Sequence, residues 1–402
     1  MSKKKKVVLA FSGGLDTTYC AKFLSSQGMD VYSCTVNTGG FSEDELDKIA
    51  KRAQELGVKE HKTIEATESF YHGCVKYLIF GNVLKNETYP LSVSAERAFQ
   101  AYSIAKYARA INADIIAHGS TGAGNDQVRF DLAFHIICPK VQVLTPIRDQ
   151  NLSRDEEIAF LQAEGVKVDC DLAKYSINKG LWGASVGGVE TLTSHGPLPE
   201  KAYPNLMTKD LVDHEVIKIG FVKGEPVSIN GKTYSSPVAL IAQLEVIATP
   251  YGVGRDIHVG DTIINTKGRV GFEAAAPMLL IKAHHALEKH VLTSKQMKAK
   301  QYNATLYGEL IHEGQFLEPA ARNLEAFLLS TQNKVSGEVT VNLAPYRFTI
   351  TGISSKNDLM ATKFGSYGER TIGWSGEQVK GFTKILSLQS QIYHEVHDYE
   401  DL

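Results

Sequence analysis

Two stretches of this chain place glycines and polar side chains directly after a predicted strand, where they could do chemistry. The first is Ala10-Phe11-Ser12-Gly13-Gly14-Leu15-Asp16-Thr17-Thr18. It follows the aliphatic run Val7-Val8-Leu9 and leads into Tyr19 to Gln27, with Tyr19, Ala21, Phe23 and Leu24 at helical spacing. Gly13 and Gly14 let backbone amides approach an anion closely. Ser12, Thr17 and Thr18 add hydroxyl donors, and the helix dipole favours negative charge. A strand, this turn and a helix start make a phosphate cradle. It is not a Walker loop, which needs a lysine after its last glycine, nor a dinucleotide loop with three spaced glycines. Asp16 would repel a phosphate unless a magnesium ion lay between them.

The second stretch is His118-Gly119-Ser120-Thr121-Gly122-Ala123-Gly124-Asn125-Asp126-Gln127-Val128-Arg129-Phe130. A purely structural loop has little use for so many polar groups at a sheet edge. Arg129 can take a carboxylate bidentately, Thr121 and Asn125 can hydrogen-bond one, and Asp126 can hold an ammonium. That set describes a pocket for an amino acid beside a nucleotide.

The elements that must position these loops read as alternating strands and helices. Val31–Thr38, His61–Ala66, Asp114–His118 and Val141–Thr145 read as strands. Helices are expected from Ser42, an N-cap with Glu45 at the capping-box position, to Leu56, over Thr67–Phe80, and over Ser94–Asn112. This predicts an α/β fold: a doubly wound, mostly parallel sheet over residues 1–168, with ligands at the carboxyl ends of its strands. Residues 169–372 read as a mixed α+β domain with short strands such as Val216–Phe221 and Ile263–Thr266. Residues 373–402 read as a terminal helix carrying Val379, Phe382, Ile385, Leu386, Leu388, Ile392 and Val396 on a stripe. Such a stripe docks either on a neighbouring subunit or on its own chain.

Bulk properties exclude several classes. A net charge of −2 with 43% hydrophobic residues gives no pull toward nucleic acid, and no apolar run is long enough for a membrane span. Lys3 to Lys6 read as a solvated tail. Cys20, Cys34, Cys74, Cys138 and Cys170 form no Cys-x-x-Cys pair, so free thiols in a reducing cytoplasm are expected. His284, His285 and His290 lack metal spacing, and no metal site held by the protein is expected. His394–His397 lies in a polar tail and reads as solvated surface, and Lys295–Lys300 reads as an exposed helical face.

Taken together, the two glycine-rich motifs resemble those of argininosuccinate synthases, members of the PP-loop ATP pyrophosphatases. The likeness extends through Gly252-Val253-Gly254-Arg255 to the terminal helix. It implies a cytoplasmic ligase, a homotetramer, that uses Mg-ATP to join citrulline to L-aspartate through a citrullyl-adenylate in arginine biosynthesis. Carried over by position, Ala10 to Thr18, Val36, His118 and Gly119 would bind ATP. Thr121, Asn125 and Asp126 would hold aspartate. Tyr89, Val93, Ser94, Asn125, Arg129, Ser176, Ser185, Asp261 and Phe272 would meet citrulline, and Asp16, Asn125 and Arg129 would be catalytic.

Four positions depart from the family's pattern. Thr18 replaces a serine, Ala123 a lysine, Gly260 a citrulline-contacting glutamate and Phe272 a tyrosine. Arg148 or another lysine would have to replace the missing phosphate cation. Either Asp261 swings in for the lost glutamate, or the acceptor is an Nα-acylated citrulline with no ammonium to bind. More remote readings remain. A tRNA-modifying PP-loop enzyme would need paired cysteines and a basic surface, a glutamine-dependent amidotransferase would need a second domain, and a nucleotide-sensing protein would have lost turnover.

Overall fold

The computed structural model of this chain describes residues 4–168, 175–210, 212–365, 367–369 and 372–397. Cys170 lies outside the described residues. β1 (Lys6–Ala10) stands at the centre of a five-stranded sheet, because its alternating residues are apolar on both faces. Val7 and Leu9 enter one core layer and Val8 and Ala10 the other. The other strands are β2 (Asp30–Asn37), β3 (Glu60–Glu65), β4 (Ile115–Ala117) and β5 (Gln142–Leu144), in the order β3-β2-β1-β4-β5, all parallel. The order reverses between β1 and β4, which is where the loops after both strands open a crevice.

Helices cover both faces: α1 (Leu15–Ser26), α2 (Glu43–Glu55), α3 (Thr67–Phe70), α4 (Lys76–Gly81), α5 (Ser92–Ala110), α6 (Asp126–Ile137), α7 (Pro146–Gln150) and α8 (Arg154–Ala163). The Ser42/Glu45 capping box of α2 is present. α1 starts at Leu15, ahead of the apolar spacing that announces it, and the segment Thr67–Phe80 is interrupted by a wider π-helical turn at Tyr71–Val75.

The remaining chain builds two antiparallel sheets. Its elements are β6 (Ser176–Gly180), β7 (Gly183–Gly187), β8 (Glu215–Val222), β9 (Glu225–Ile229), β10 (Lys232–Thr233), α9 (Pro237–Ala248), β11 (Arg255–Asp261), β12 (Lys267–Glu273), α10 (Ala275–Val291), α11 (Ser294–His312), α12 (Pro319–Ser330), β13 (Gly337–Ala344) and β14 (Arg347–Ser354). One sheet runs β10-β9-β8-β13-β14 and the other β11-β12-β7-β6. Ile263–Thr266 is not a strand. It is the tip of the β11–β12 hairpin, where Asn265 takes a positive φ and the Thr262 amide donates to the Thr266 carbonyl at 2.8 Å.

Lys300 departs from the exposed face expected of it. It is buried, with Nζ 2.7 Å from the Glu288 carboxylate. Asn82 and Gln332 donate to the same carboxylate at 2.6 and 2.9 Å, and the buried His284 bridges Asn82 and Gln332. Cys20, Cys34, Cys74 and Cys138 are buried free thiols. The chain divides into two compact units, Met1–Lys356 and Asn357–Leu402. The second carries α13 (Gly376–Val396), whose Phe382, Ile385, Leu386 and Ile392 are exposed. His394 and His397 lie on the same exposed stretch. Among the described residues no helix is long and apolar enough to cross a membrane.

Candidate functional site

A cavity of about 690 Å³ opens at the carboxyl ends of β1, β2 and β4 and is walled on its far side by β6, β7 and the β11–β12 hairpin. The loop Phe11–Gly14 turns through Gly13, whose φ of +77° suits glycine. Gly14 then takes the N-cap position of α1 with no side-chain cap. In α2 and α8, serine boxes satisfy this end of the helix, so the first amides of α1 are left facing the cavity. The Thr17 hydroxyl instead takes the Ser12 amide at 3.4 Å and donates to the Gly14 carbonyl, which fixes the turn. Asp16 lines the cavity. Burial pushes its carboxyl above the usual range, against the opposing pull of the Arg154 guanidinium.

The loop after β4 closes on the first. Gly119 lies so close to Asp16 that a Cβ would stand 3.2 Å from its main-chain carbon. His118 is buried and accepts the Ser120 amide at Nδ1 (3.2 Å). Its Nε2–H therefore donates to Asp131 at 2.9 Å. At the far end of the loop, Asn125 Oδ1 accepts the Ile263 amide at 2.9 Å, which ties the hairpin tip across the cavity mouth.

Asp126 and Arg129 begin α6, one turn apart. Burial would raise the Asp126 carboxyl, but Arg97 at 3.2 Å and Arg129 at 2.9 Å hold it below the carboxylate range. Arg129 cannot clamp a ligand carboxylate bidentately. Its Nε and Nη2 both donate to the His312 carbonyl, at 3.0 and 2.8 Å, Nη2 also donates to Ser94 Oγ, and Nη1 serves Asp126. Gly314, with a φ of +78°, lets the chain after α11 lie against the stem of Arg129: a Cβ there would stand 2.9 Å from its Cγ and 3.0 Å from its Cα.

Of the residues the sequence singles out, Ala10, Phe11, Ser12, Gly14, Leu15, Asp16, Thr17, Val36, Tyr89, Val93, Ser94, His118, Gly119, Thr121, Asn125, Asp126, Arg129, Ser176, Ser185 and Asp261 line this one cavity. Gly13, Thr18 and Phe272 do not. Gly13 faces α2, and the buried Thr18 hydroxyl points back at the Gly13 carbonyl. Phe272 pairs with Ser185 on the same sheet face but is covered by the Tyr89 ring, 5.4 Å away.

The departures from the family's pattern have structural answers. Arg148 does not stand in for a cation at Ala123, because Asp131 binds it at 2.8 Å and Gln127 at 3.2 Å. Arg154, at the first position of α8, is the arginine in the cavity beside Asp16. At Gly260 a Cβ would lie 2.6 Å from His258 Nε2, so the His258 ring, stacked on Tyr89 at 5.2 Å, fills the space a side chain would use. Asp261 does not swing in. Its carboxylate pairs with Lys267 at 2.5 Å and stays exposed.

Sequence reasoning missed Arg97, Asn178, Arg154, His258 and His312 in the lining. Only the alternation of Ser176 and Asn178 on β6 carried a signal for one of them. Among the described residues, no group of three or more His, Cys, Asp or Glu could hold a metal ion.

Comparison with known proteins adds a family. The model described as "Arginosuccinate synthase N-terminal HUP domain" matches residues 6–167, and "Arginosuccinate synthase C-terminal domain" matches 175–393. The argininosuccinate synthase of Methanocaldococcus jannaschii is 38% identical over 393 residues, covering 96% of this chain and 97% of that protein. That of Xylella fastidiosa is 36% identical, with 98% of each chain covered. That of Sulfurisphaera tokodaii is 33% identical over 98% of this chain.

Proposed function

The chain belongs to the argininosuccinate synthase family, and from that premise we propose that it condenses citrulline with L-aspartate at the expense of ATP, giving argininosuccinate, AMP and pyrophosphate. The observation that carries the reading is the uncapped N-terminus of α1 sharing one cavity with Thr121, Asn125, Asp126, Ser176 and Ser185.

A urea carbon is a poor electrophile. The ureido oxygen of citrulline attacks the α-phosphorus of ATP, and the bond to pyrophosphate breaks. The resulting citrullyl-adenylate carries AMP as a leaving group. The aspartate amine then adds to the ureido carbon, AMP departs with the bonding pair, and the amine loses its proton. The protein's task is to place three substrates and to balance phosphate charge.

The free amides of α1 and the Ser12 hydroxyl bind the triphosphate, with Val36 against the adenine. ATP enters as its magnesium complex, and Asp16 is the carboxylate placed to meet that cation. Arg154 supplies positive charge on the same side. Thr121 and Asn125 hold the aspartate. Asp126 is already shared by Arg97 and Arg129, so it orients those two arginines as well. Tyr89, Ser94, Ser176 and Ser185 contact the citrulline. Arg129 acts through Ser94, as a positioning group. The exposed apolar stripe of α13 supports self-association, and the family likeness implies a homotetramer in the cytoplasm.

Pyrophosphate release that requires both aspartate and a citrulline-type acceptor tests the proposal, with argininosuccinate identified as product. Release with tRNA alone, or ATP binding without release, would refute it.

A further inference from the structure

We propose that Gln127 is a positioning residue for the aspartate half of the reaction: its side-chain amide ties down the main chain that carries Thr121 and Asn125. The inference rests on the function proposed above. Gln127 sits in the first turn of α6 and is buried. Its Nε2 donates to the Gly122 carbonyl at 2.6 Å and to the Gly124 carbonyl at 3.1 Å. Gly122 follows Thr121 and Gly124 precedes Asn125, so each gripped carbonyl adjoins a residue that holds aspartate.

The amide fits its neighbours in one orientation. Both carbonyls can only accept, and the Arg148 Nη1 that reaches Gln127 Oε1 at 3.2 Å can only donate. The NH2 group therefore faces the loop and the oxygen faces Arg148. Arg148 is itself held, by Asp131 at 2.8 Å and by Thr145 Oγ1, to which its Nε donates at 3.1 Å. Burial would raise the Asp131 carboxyl, but the hydrogen bonds from His118 and Arg148 hold it below the carboxylate range. Its other oxygen takes the His118 Nε2–H, and His118 Nδ1 takes the Ser120 amide. One Arg148–Asp131 pair thus anchors the loop through Gln127 at one end and His118 at the other.

Packing contributes little to this loop. Residues 121–124 are exposed, a Cβ at Gly124 would meet nothing within 4 Å, and one at Gly122 only the Arg148 Cγ at 3.7 Å. Among the described residues, no other side chain hydrogen-bonds the main chain of residues 121–124. A loop fastened in this way binds its ligand in proportion to the share of molecules that hold it in place. Without the two bonds from Gln127 that share falls, and part of the aspartate binding free energy goes into ordering Thr121 and Asn125. The hydrogen bonds of Gln127 reach neither the glycine turn after β1 nor the serines that meet citrulline.

The test uses Gln127→Met, which keeps the length of the side chain and removes the donors. ATP binding by calorimetry checks folding, and Gln127→Asn, too short to span both carbonyls, replaces Q127M should that variant not bind ATP. Pyrophosphate release is measured while ATP, aspartate and citrulline are varied in turn. Q127M is expected to raise the aspartate KM about tenfold, with kcat and the other two KM values within about twofold. Thr121→Val raises the aspartate KM by itself. Adding Q127M to it should raise that KM by only about threefold more, because the loop then has less to hold in place. An unchanged aspartate KM, equal rises in all three KM values, or a double variant whose factors multiply in full overturns the proposal while leaving the function standing. Loss of ATP binding in both Gln127 variants overturns it too, since the effect then belongs to the whole fold. A wild-type enzyme that releases no pyrophosphate with aspartate and citrulline together overturns both.

Discussion

Gly119→Ala tests whether the two loops must touch for the site to work. A Cβ at Gly119 would stand 3.2 Å from the main-chain carbon and from the Cβ of Asp16, and 3.3 Å from its carbonyl oxygen, where ordinary contact begins at 3.4 Å. The obstacle is the first turn of α1, not the flexible end of a side chain, so one loop must move bodily by a few tenths of an ångström. A misplacement of about 1 Å around reacting groups can cost on the order of 10²-fold. A shift of roughly a third of that predicts a loss of about fivefold in kcat/KM for ATP, close to 1 kcal/mol. Gly119 is not in the left-handed region, so alanine adds no backbone strain there. Initial rates of pyrophosphate release with ATP varied, together with the thermal midpoint, measure the effect. An unchanged kcat/KM for ATP, or a loss that merely follows a fall in Tm, would refute the reasoning.

Lys300→Met leaves the Glu288 carboxylate buried without its counter-ion, held only by Asn82 and Gln332. Stability measured by denaturant should drop by roughly 3–5 kcal/mol, with activity per folded molecule unchanged; a change under about 1 kcal/mol would show that the amides suffice. Glu96 is the second case. Burial pushes its carboxyl up to about 7, and its Oε2 has no partner. Between its ordinary value of 4.5 and about 7 the folded state holds a proton that the unfolded state has released, so this group's contribution to stability falls as pH rises through that window. Glu96→Gln should remove the fall. The stability of the wild type relative to E96Q, followed by denaturant midpoints across the window, should decline with pH, and a rise would contradict the assignment.

Local patterns made the scaffold legible. Val7-Val8-Leu9, the Ser42/Glu45 box and the glycines of the two loops act over a few residues, so the strand, the cap and the turn follow from neighbouring side chains. Sequence alone likewise placed both loops at the carboxyl ends of strands, because alternating strand and helix patterns permit a parallel sheet.

What it could not give was each side chain's partner. Lys300 lies among lysines that face water, and only the approach of α10 buries it against Glu288. Arg129 looks free to clamp a ligand until the end of α11, 183 residues later, presents the His312 carbonyl. Gly260 reads as a lost charge, and only the β11 backbone shows that His258 occupies the space. Hydrophobic period and turn chemistry are properties of neighbours along the chain. Hydrogen-bond satisfaction and burial depend on groups brought together across it, and the tertiary structure alone decides those.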